Sequence, residues 1–313
     1  MQSQSNLFNL KGLILNKKIV RQFLRLYDIV LILSIIALWA AVQLPAAAEN
    51  LIGYFLMLTV GVGHGANDIK IFFRDRELST SRAIRFIVIY AAVVILGFGA
   101  FFIVPDFILA LFIVVSGFHF GQEHHEQYEL PKSFLKTLFL TIYGLAIITV
   151  LLYINSTESL LIINDLIYSE LTTTMLAYTA YGCAALMFIL GLVLLRTVPV
   201  SQLLRELFYL IVLLVIFKIS SLLWGFAIYF VLWHSVPSIH HQIHHLYGYV
   251  SKNTILKYLK SSLLYWLAAL VFLAVLYYVL NERTALFLTV IVAFLGGITF
   301  PHVMVMHNIQ KNG

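Results

Sequence analysis

The sequence predicts an all-α fold: a polytopic integral membrane bundle of about ten transmembrane helices, with both termini cytoplasmic. Composition and spacing carry this reading. Of 313 residues, 61% are hydrophobic and only 11% are charged, against roughly half and a quarter in a soluble domain, and the mean hydropathy is +0.95. The apolar residues gather in stretches near the ~20 residues that a helix needs to cross a bilayer, leaving almost nothing for an extramembrane domain. A water-soluble globule is excluded, and whatever the chain does, it does within the lipid.

The apolar stretches fall at 29–45, 51–73, 86–104, 106–122, 135–154, 171–195, 204–217, 219–236, 261–280 and 285–307. Each is expected to be helical, because hydrocarbon offers no partner to an open backbone group. Residues 204–236 could form one long tilted helix or two helices parted at Lys218, and charge decides for two. With ten spans and a cytoplasmic N-terminus, every basic residue except Lys218 and Arg283 falls on the inner side, as the positive-inside bias requires. Merging the pair would strand Lys252, Lys257 and Lys260 outside. Asn155 to Glu170 reads as an outer loop, holding Glu158, Asp165 and Glu170 and no base.

Residues 1–28 read as a cytoplasmic tail and 29–313 as a single transmembrane domain, multi-pass in the cell's inner (plasma) membrane. The run Pro45-Ala46-Ala47-Ala48-Glu49 imitates a signal-peptidase site, but the polar lead before span one is long for a signal peptide, so the span is expected to stay. The formal charge of +6 is scattered between spans and forms no basic face, which implies no nucleic-acid partner. Cys183 is the only cysteine, so disulfide frameworks, thiolate zinc sites and iron–sulfur clusters are excluded. Eleven histidines are then the main metal-binding resource.

Histidine inside a membrane is costly and points to function. Span two carries Gly61-Val62-Gly63-His64-Gly65-Ala66-Asn67-Asp68, and span four ends in Gly117-Phe118-His119-Phe120-Gly121-Gln122-Glu123-His124-His125. Span eight ends in Leu232-Trp233-His234-Ser235-Val236-Pro237, and span ten holds Phe300-Pro301-His302. All four spans run in one direction, and His64, His119, His234 and His302 fall in the inner half of each. A shared depth is what a single buried metal ion requires. Asp68 and Glu123 stand one turn beyond His64 and His119, where they can accept the second ring N–H of those imidazoles or stand as helix-end charges with no role. Gly61, Gly63 and Gly65 admit close approach to the backbone.

Imidazole without thiolate suits iron, zinc, copper or nickel. Four neutral histidines on an octahedral ion leave two positions open, an arrangement suited to dioxygen. The segment His240-His241-Gln242-Ile243-His244-His245 lies past Pro237. If the helix runs through that proline, His241 points within about 20 degrees of the His234 direction and is an alternative fourth ligand; otherwise the segment is a solvated helix start.

These motifs resemble the Brp/Blh family of microbial membrane proteins, β-carotene 15,15'-dioxygenases that form retinal. The likeness rests on His64-Gly65-Ala66-Asn67-Asp68, similar to the family's Pro-His-Gly-Ala-x-Asp, and on His119-Phe120-Gly121, Trp233-His234-Ser235 and Pro301-His302 in order. Two positions depart from the family pattern. Gly63 replaces a proline, and Ser238 stands where the family carries a histidine one turn after that of the third motif, which leaves the fourth ligand between His302 and His241. The resemblance implies Fe(2+) held by His64, His119, His234 and that fourth histidine. It further implies β-carotene and O2 as substrates, cleavage of the central double bond to two all-trans-retinal, and a functional link to a microbial rhodopsin. A substrate dissolved in lipid agrees with a site inside the bilayer, lined by an apolar slot.

Two other readings compete. His241-Gln242-Ile243-His244-His245 fits the HxxHH box of membrane di-iron desaturases and hydroxylases, although the HxxxH box expected early in the chain is missing. Gly65-Ala66-Asn67-Asp68 also resembles a phosphate-permease motif, which suggests an ion transporter, but no duplicated half accompanies it.

Overall fold

The computed structural model describes residues 26–77, 79–126, 128, 130, 133–280 and 284–312, so most of the expected tail lies outside the described residues. In chain order the helices are α1 (Leu26–Gln43), α2 (Ala46–Leu56, continued by a π-helix at Met57–Gly61), α3 (Asp68–Phe73), α4 (Thr80–Ile103), α5 (Pro105–His124), α6 (Phe134–Ile154) and α7 (Ser156–Leu166). They are followed by α8 (Thr173–Leu194), α9 (Val200–Ile219), α10 (Leu222–Ile228, continued by a π-helix at Tyr229–Ser235), α11 (Val236–Tyr247), α12 (Lys252–Leu280) and α13 (Thr284–Asn312). Among the described residues there is no strand, and nine helices are long and apolar enough to cross a membrane, counting Leu222–Tyr247 as one. The exterior is made of large apolar side chains such as Ile95, Leu96, Phe107, Phe188, Leu264 and Tyr278, a surface suited to lipid and unsuited to water.

Three sequence expectations are corrected or resolved. The second expected span, 51–73, is not one helix: after the π-helix the chain turns at residues 64–67 and α3 restarts at Asp68. Gly65 and Asn67 are weak helix formers, and the break survives because it is buried and its polar groups are taken up. Gln242 Nε2 donates to the His64 carbonyl at 2.9 Å, and Asn67 Nδ2 donates to the Tyr258 carbonyl at 3.2 Å. The Tyr258 hydroxyl in turn donates to Gln242 Oε1 at 2.6 Å.

The outer loop expected at 155–170 contains α7, whose Glu158 has a use. Residues 204–236 are two helices, parted at Ser220 and Ser221. The start of α10 is capped by Ser221 Oγ, which accepts the Trp224 N–H at 3.3 Å, while Glu49 and Glu158 accept the Ser221 and Leu222 N–H groups at 3.4 and 3.1 Å. Carboxylates at a helix start complement its positive end. They fix the helix that carries His234.

Close backbone crossings set the frame around the interior. A Cβ on Gly121 would lie 1.9 Å from the Leu140 carbonyl oxygen, and one on Gly144 would lie 1.9 Å from that of Gly117. Gly117-x-x-x-Gly121 therefore packs α5 directly against the α6 backbone. On the other flank, a Cβ on Gly297 of α13 would lie 2.9 Å from the Val94 carbonyl oxygen of α4. Overpacking costs about 1–3 kcal/mol when side chains can adjust, and backbone adjusts less. Gly121→Ala and Gly144→Ala are therefore expected to lower the thermal unfolding midpoint of the detergent-purified protein. Gly99→Ala and Gly182→Ala, where a Cβ meets nothing within 4 Å, should leave it equal or raise it slightly. An unchanged midpoint in Gly121→Ala would contradict the crossing.

Candidate metal centre

Each of the four intramembrane histidines is presented by a feature of its own helix. His119 sits two residues from both Gly117 and Gly121, about 200 degrees around α5, so the face that packs on α6 turns His119 toward the opposite side. His64 follows the π-helix of α2, and His234 lies within the π-helix between α10 and α11. Such π-turns recur at functional sites. The second one precedes Pro237, through which the helix continues as α11, and the Ser235 hydroxyl donates to the Phe230 carbonyl at 2.8 Å, satisfying a carbonyl inside the π-helix. His302 follows Pro301 within α13.

Phe230 ties two of these histidines together. Its ring stacks on His234 at 5.8 Å and 11° and meets His64 edge-on at 5.7 Å. A Cβ on Gly61 would come within 2.4 Å of that ring, so Gly61 is needed for Phe230 to lie there.

The four imidazoles close into a ring. Neighbouring centroids are 4.8 Å apart for His64 and His302, 5.1 Å for His302 and His119, 4.6 Å for His119 and His234, and 5.1 Å for His234 and His64. Interplanar angles run from 77° to 89°. A donor atom from each of His64, His119 and His302 lies within 4.8 Å of the others, and His234, 1% exposed, completes the ring beside them. Among the described residues this is the one group of three or more His, Cys, Asp or Glu whose donor atoms converge.

Hydrogen bonds fix the outward nitrogens. His302 Nδ1 donates to Asp68 Oδ1 at 2.9 Å, and the Tyr90 hydroxyl donates to Asp68 Oδ2 at 2.8 Å. His64 Nδ1 donates to the Gly61 carbonyl. These bonds select the tautomers that leave the lone pairs on Nε2. The Nε2 atoms of His64, His119 and His302 and both ring nitrogens of His234 are buried without a hydrogen-bond partner. A buried unsatisfied polar atom costs about 1–3 kcal/mol. A cation that accepts one lone pair from each imidazole removes the penalty at those nitrogens, and a donor set of neutral imidazoles fits iron, zinc, copper or nickel.

The supporting carboxylates differ from the sequence expectation. Asp68 holds His302, not His64, because the turn at 64–67 destroys the helical relation between positions 64 and 68 and points Asp68 toward α13 and Tyr90. Glu123 is bonded not to His119 but to His241, whose Nδ1 donates to Glu123 Oε1 at 2.7 Å. His241, the alternative fourth ligand, is thus engaged away from the close trio of donor atoms. Ser238, where the family pattern has histidine, is buried and accepts from Gln242 Nε2 at 3.1 Å. The histidines of the HxxHH segment disperse: His245 Nδ1 accepts from Arg74 at 2.9 Å, while His241 is taken up by Glu123. Tyr90 and Phe230 escaped the sequence reading; a hydroxyl in the apolar run Ile89-Tyr90-Ala91 was the one available sign.

The ring forms one wall of a cavity of about 280 Å³. Its other walls are largely aromatic, with Phe86, Tyr90, Phe112, Phe120, Phe226, Phe230, Tyr265, Trp266 and Phe294. Ile87 of α4 and Tyr265 of α12 line it and are also exposed on the outside of the bundle. At those points a single side chain separates the cavity from lipid.

No curated protein and no solved structure matches the chain. A family model does, across most of its length and all four histidine positions. Its extent is residues 55–310, and the chain belongs to the family it describes, beta-carotene 15,15'-dioxygenase.

Proposed function

We propose that this protein is an iron(II) oxygenase of the membrane that cleaves β-carotene with O2 at its central 15,15' double bond, giving two all-trans-retinal. The observation that carries the reading is the set of unpartnered imidazole nitrogens converging at the wall of an apolar cavity. Family membership supports the activity and the substrate. His64, His119, His302 and His234 would hold the ion, with Asp68 and the Gly61 carbonyl fixing the ring orientations. Bound there, iron(II) supplies dioxygen activation next to the substrate.

The chain's own residues do the rest. Aromatic walls bind an extended polyene and fix which double bond lies beside the imidazole ring, since positioning is itself a large part of catalysis. Gly61 and Gly65 keep the backbone bare on that side, and the apolar lining excludes water. Ile87 and Tyr265 mark where a lipid-dissolved substrate would pass in from the bilayer, in keeping with placement in the inner membrane and with retinal supply to a microbial rhodopsin.

Expression in β-carotene-accumulating bacteria tests this: loss of colour with formation of retinal is expected. His64→Ala, His119→Ala, His234→Ala and His302→Ala should each abolish product, while His241→Ala, purified and fully loaded with metal, should retain it. Full activity in His302→Ala, or unchanged colour with folded wild-type protein, would contradict the reading. A separate expectation concerns Asp68. Losing a carboxylate behind a metal-bound histidine typically costs 10–100-fold in affinity, so Asp68→Asn should release iron to a chelator at correspondingly lower chelator concentration, with Tyr90→Phe shifting it less. Equal retention by Asp68→Asn and wild type would remove the positioning role.

A further inference from the structure

The imidazole ring has two different surroundings. On one side lies the aromatic cavity. A hydrated dication cannot use that side, because shedding water into an apolar wall carries a penalty of at least several kcal/mol per ion and the cavity offers few polar groups. Beyond His119, α5 continues for one turn to Glu123 on the same face. Neither Glu123 nor His241 lines the cavity.

The Glu123–His241 pair joins the interior to the surface. The Glu123 side chain is 1% exposed and that of His241 is 20% exposed. Glu123 Oε1 accepts from His241 Nδ1 at 2.7 Å, while Glu123 Oε2 is buried without a hydrogen-bond partner. On α11 Ser238 is buried while His241, His244 and His245 are half-buried, and Glu126, two residues past the end of α5, is exposed. A buried carboxylate with one oxygen unsatisfied is expensive. Carboxylate and imidazole are ligands that first-row dications accept.

We propose that Glu123 and His241 form a transit site through which a divalent cation reaches the histidine ring, separate from the cavity that takes the lipid-borne substrate. This rests on the metal reading above. The pair strips the ion of water in part: the His241 proton shifts from Nδ1 to Nε2 through solvent, the freed Nδ1 lone pair and Glu123 Oε2 hold the ion, and it passes one helical turn along α5 to His119, the His241–Glu123 hydrogen bond re-forming behind it. His241 of the 240–245 segment then has a use that is not catalytic.

Loading kinetics test the proposal. The full chain in detergent, stripped of metal by a chelator, is mixed anaerobically with Fe(II) or Co(II), and uptake is followed by quenching of tryptophan fluorescence, Trp233 being next to His234. In Glu123→Gln and in His241→Ala the loading rate should fall about 10-fold, an added barrier of ~1.4 kcal/mol, with final metal per chain and affinity unchanged. The double variant should load no more slowly than the slower single one, since both act on one step. His241→Gln serves if His241→Ala does not fold. Wild-type loading rates in the double variant would overturn the transit site, and so would a loss of final metal content, which would make Glu123 part of the centre. If wild type takes up no cation at all, the metal reading itself fails.

Discussion

Lone pairs on buried imidazoles need a partner, and hydrocarbon provides none. That constraint explains more of this molecule than its hydrophobicity does. Four histidines from four separated helices are brought edge to face at centroid spacings of 4.6 to 5.1 Å, and the nitrogens they turn inward have no partner among the protein's own groups. A cation at its centre that accepts the lone pairs would remove that cost. The helices around it are shaped to sustain it.

The shaping consists of departures from regular helix. A helix would direct positions 64 and 68 to one face; the turn at 64–67 instead frees His64 for the ring and Asp68 for His302. The two π-helices re-aim His64 and His234, and Gly61 makes room for the Phe230 ring between them. Each departure leaves backbone groups that lipid would not tolerate, and each is met by a buried polar partner: Gln242 for the His64 carbonyl, and Ser235 for that of Phe230. By contrast α5, which presents His119, and α6 are ordinary helices crossing on glycine, so the irregularity is concentrated in the segments that bear His64 and His234.

This division also explains what was legible from the sequence. The spans could be read because lipid imposes one length and one composition on them, and the charge asymmetry separated α9 from α10 although hydropathy alone did not. His64, His119, His234 and His302 stood out because histidine at membrane depth is costly. The carboxylates could not be assigned, since the i to i+4 rule presumes an unbroken helix and Asp68 lies just past a break. Glu123 does obey the rule, but its nearer partner, His241, comes from another helix 118 positions along the chain. Gly117 and Gly121 flank His119 in the sequence without marking a crossing, because their role depends on Gly144 and Leu140 of another helix.

The separation of an aromatic cavity from a polar approach suits a reaction whose substrate dissolves in lipid while its metal comes from water. The most direct test of the central claim is X-ray absorption at the iron edge combined with metal analysis of the anaerobically purified protein. One iron per chain, with a first shell of nitrogen and the outer-shell scattering of about four imidazoles, is the expected result. Two irons per chain, or a shell dominated by oxygen or sulfur, would contradict a single ion held by the histidine ring.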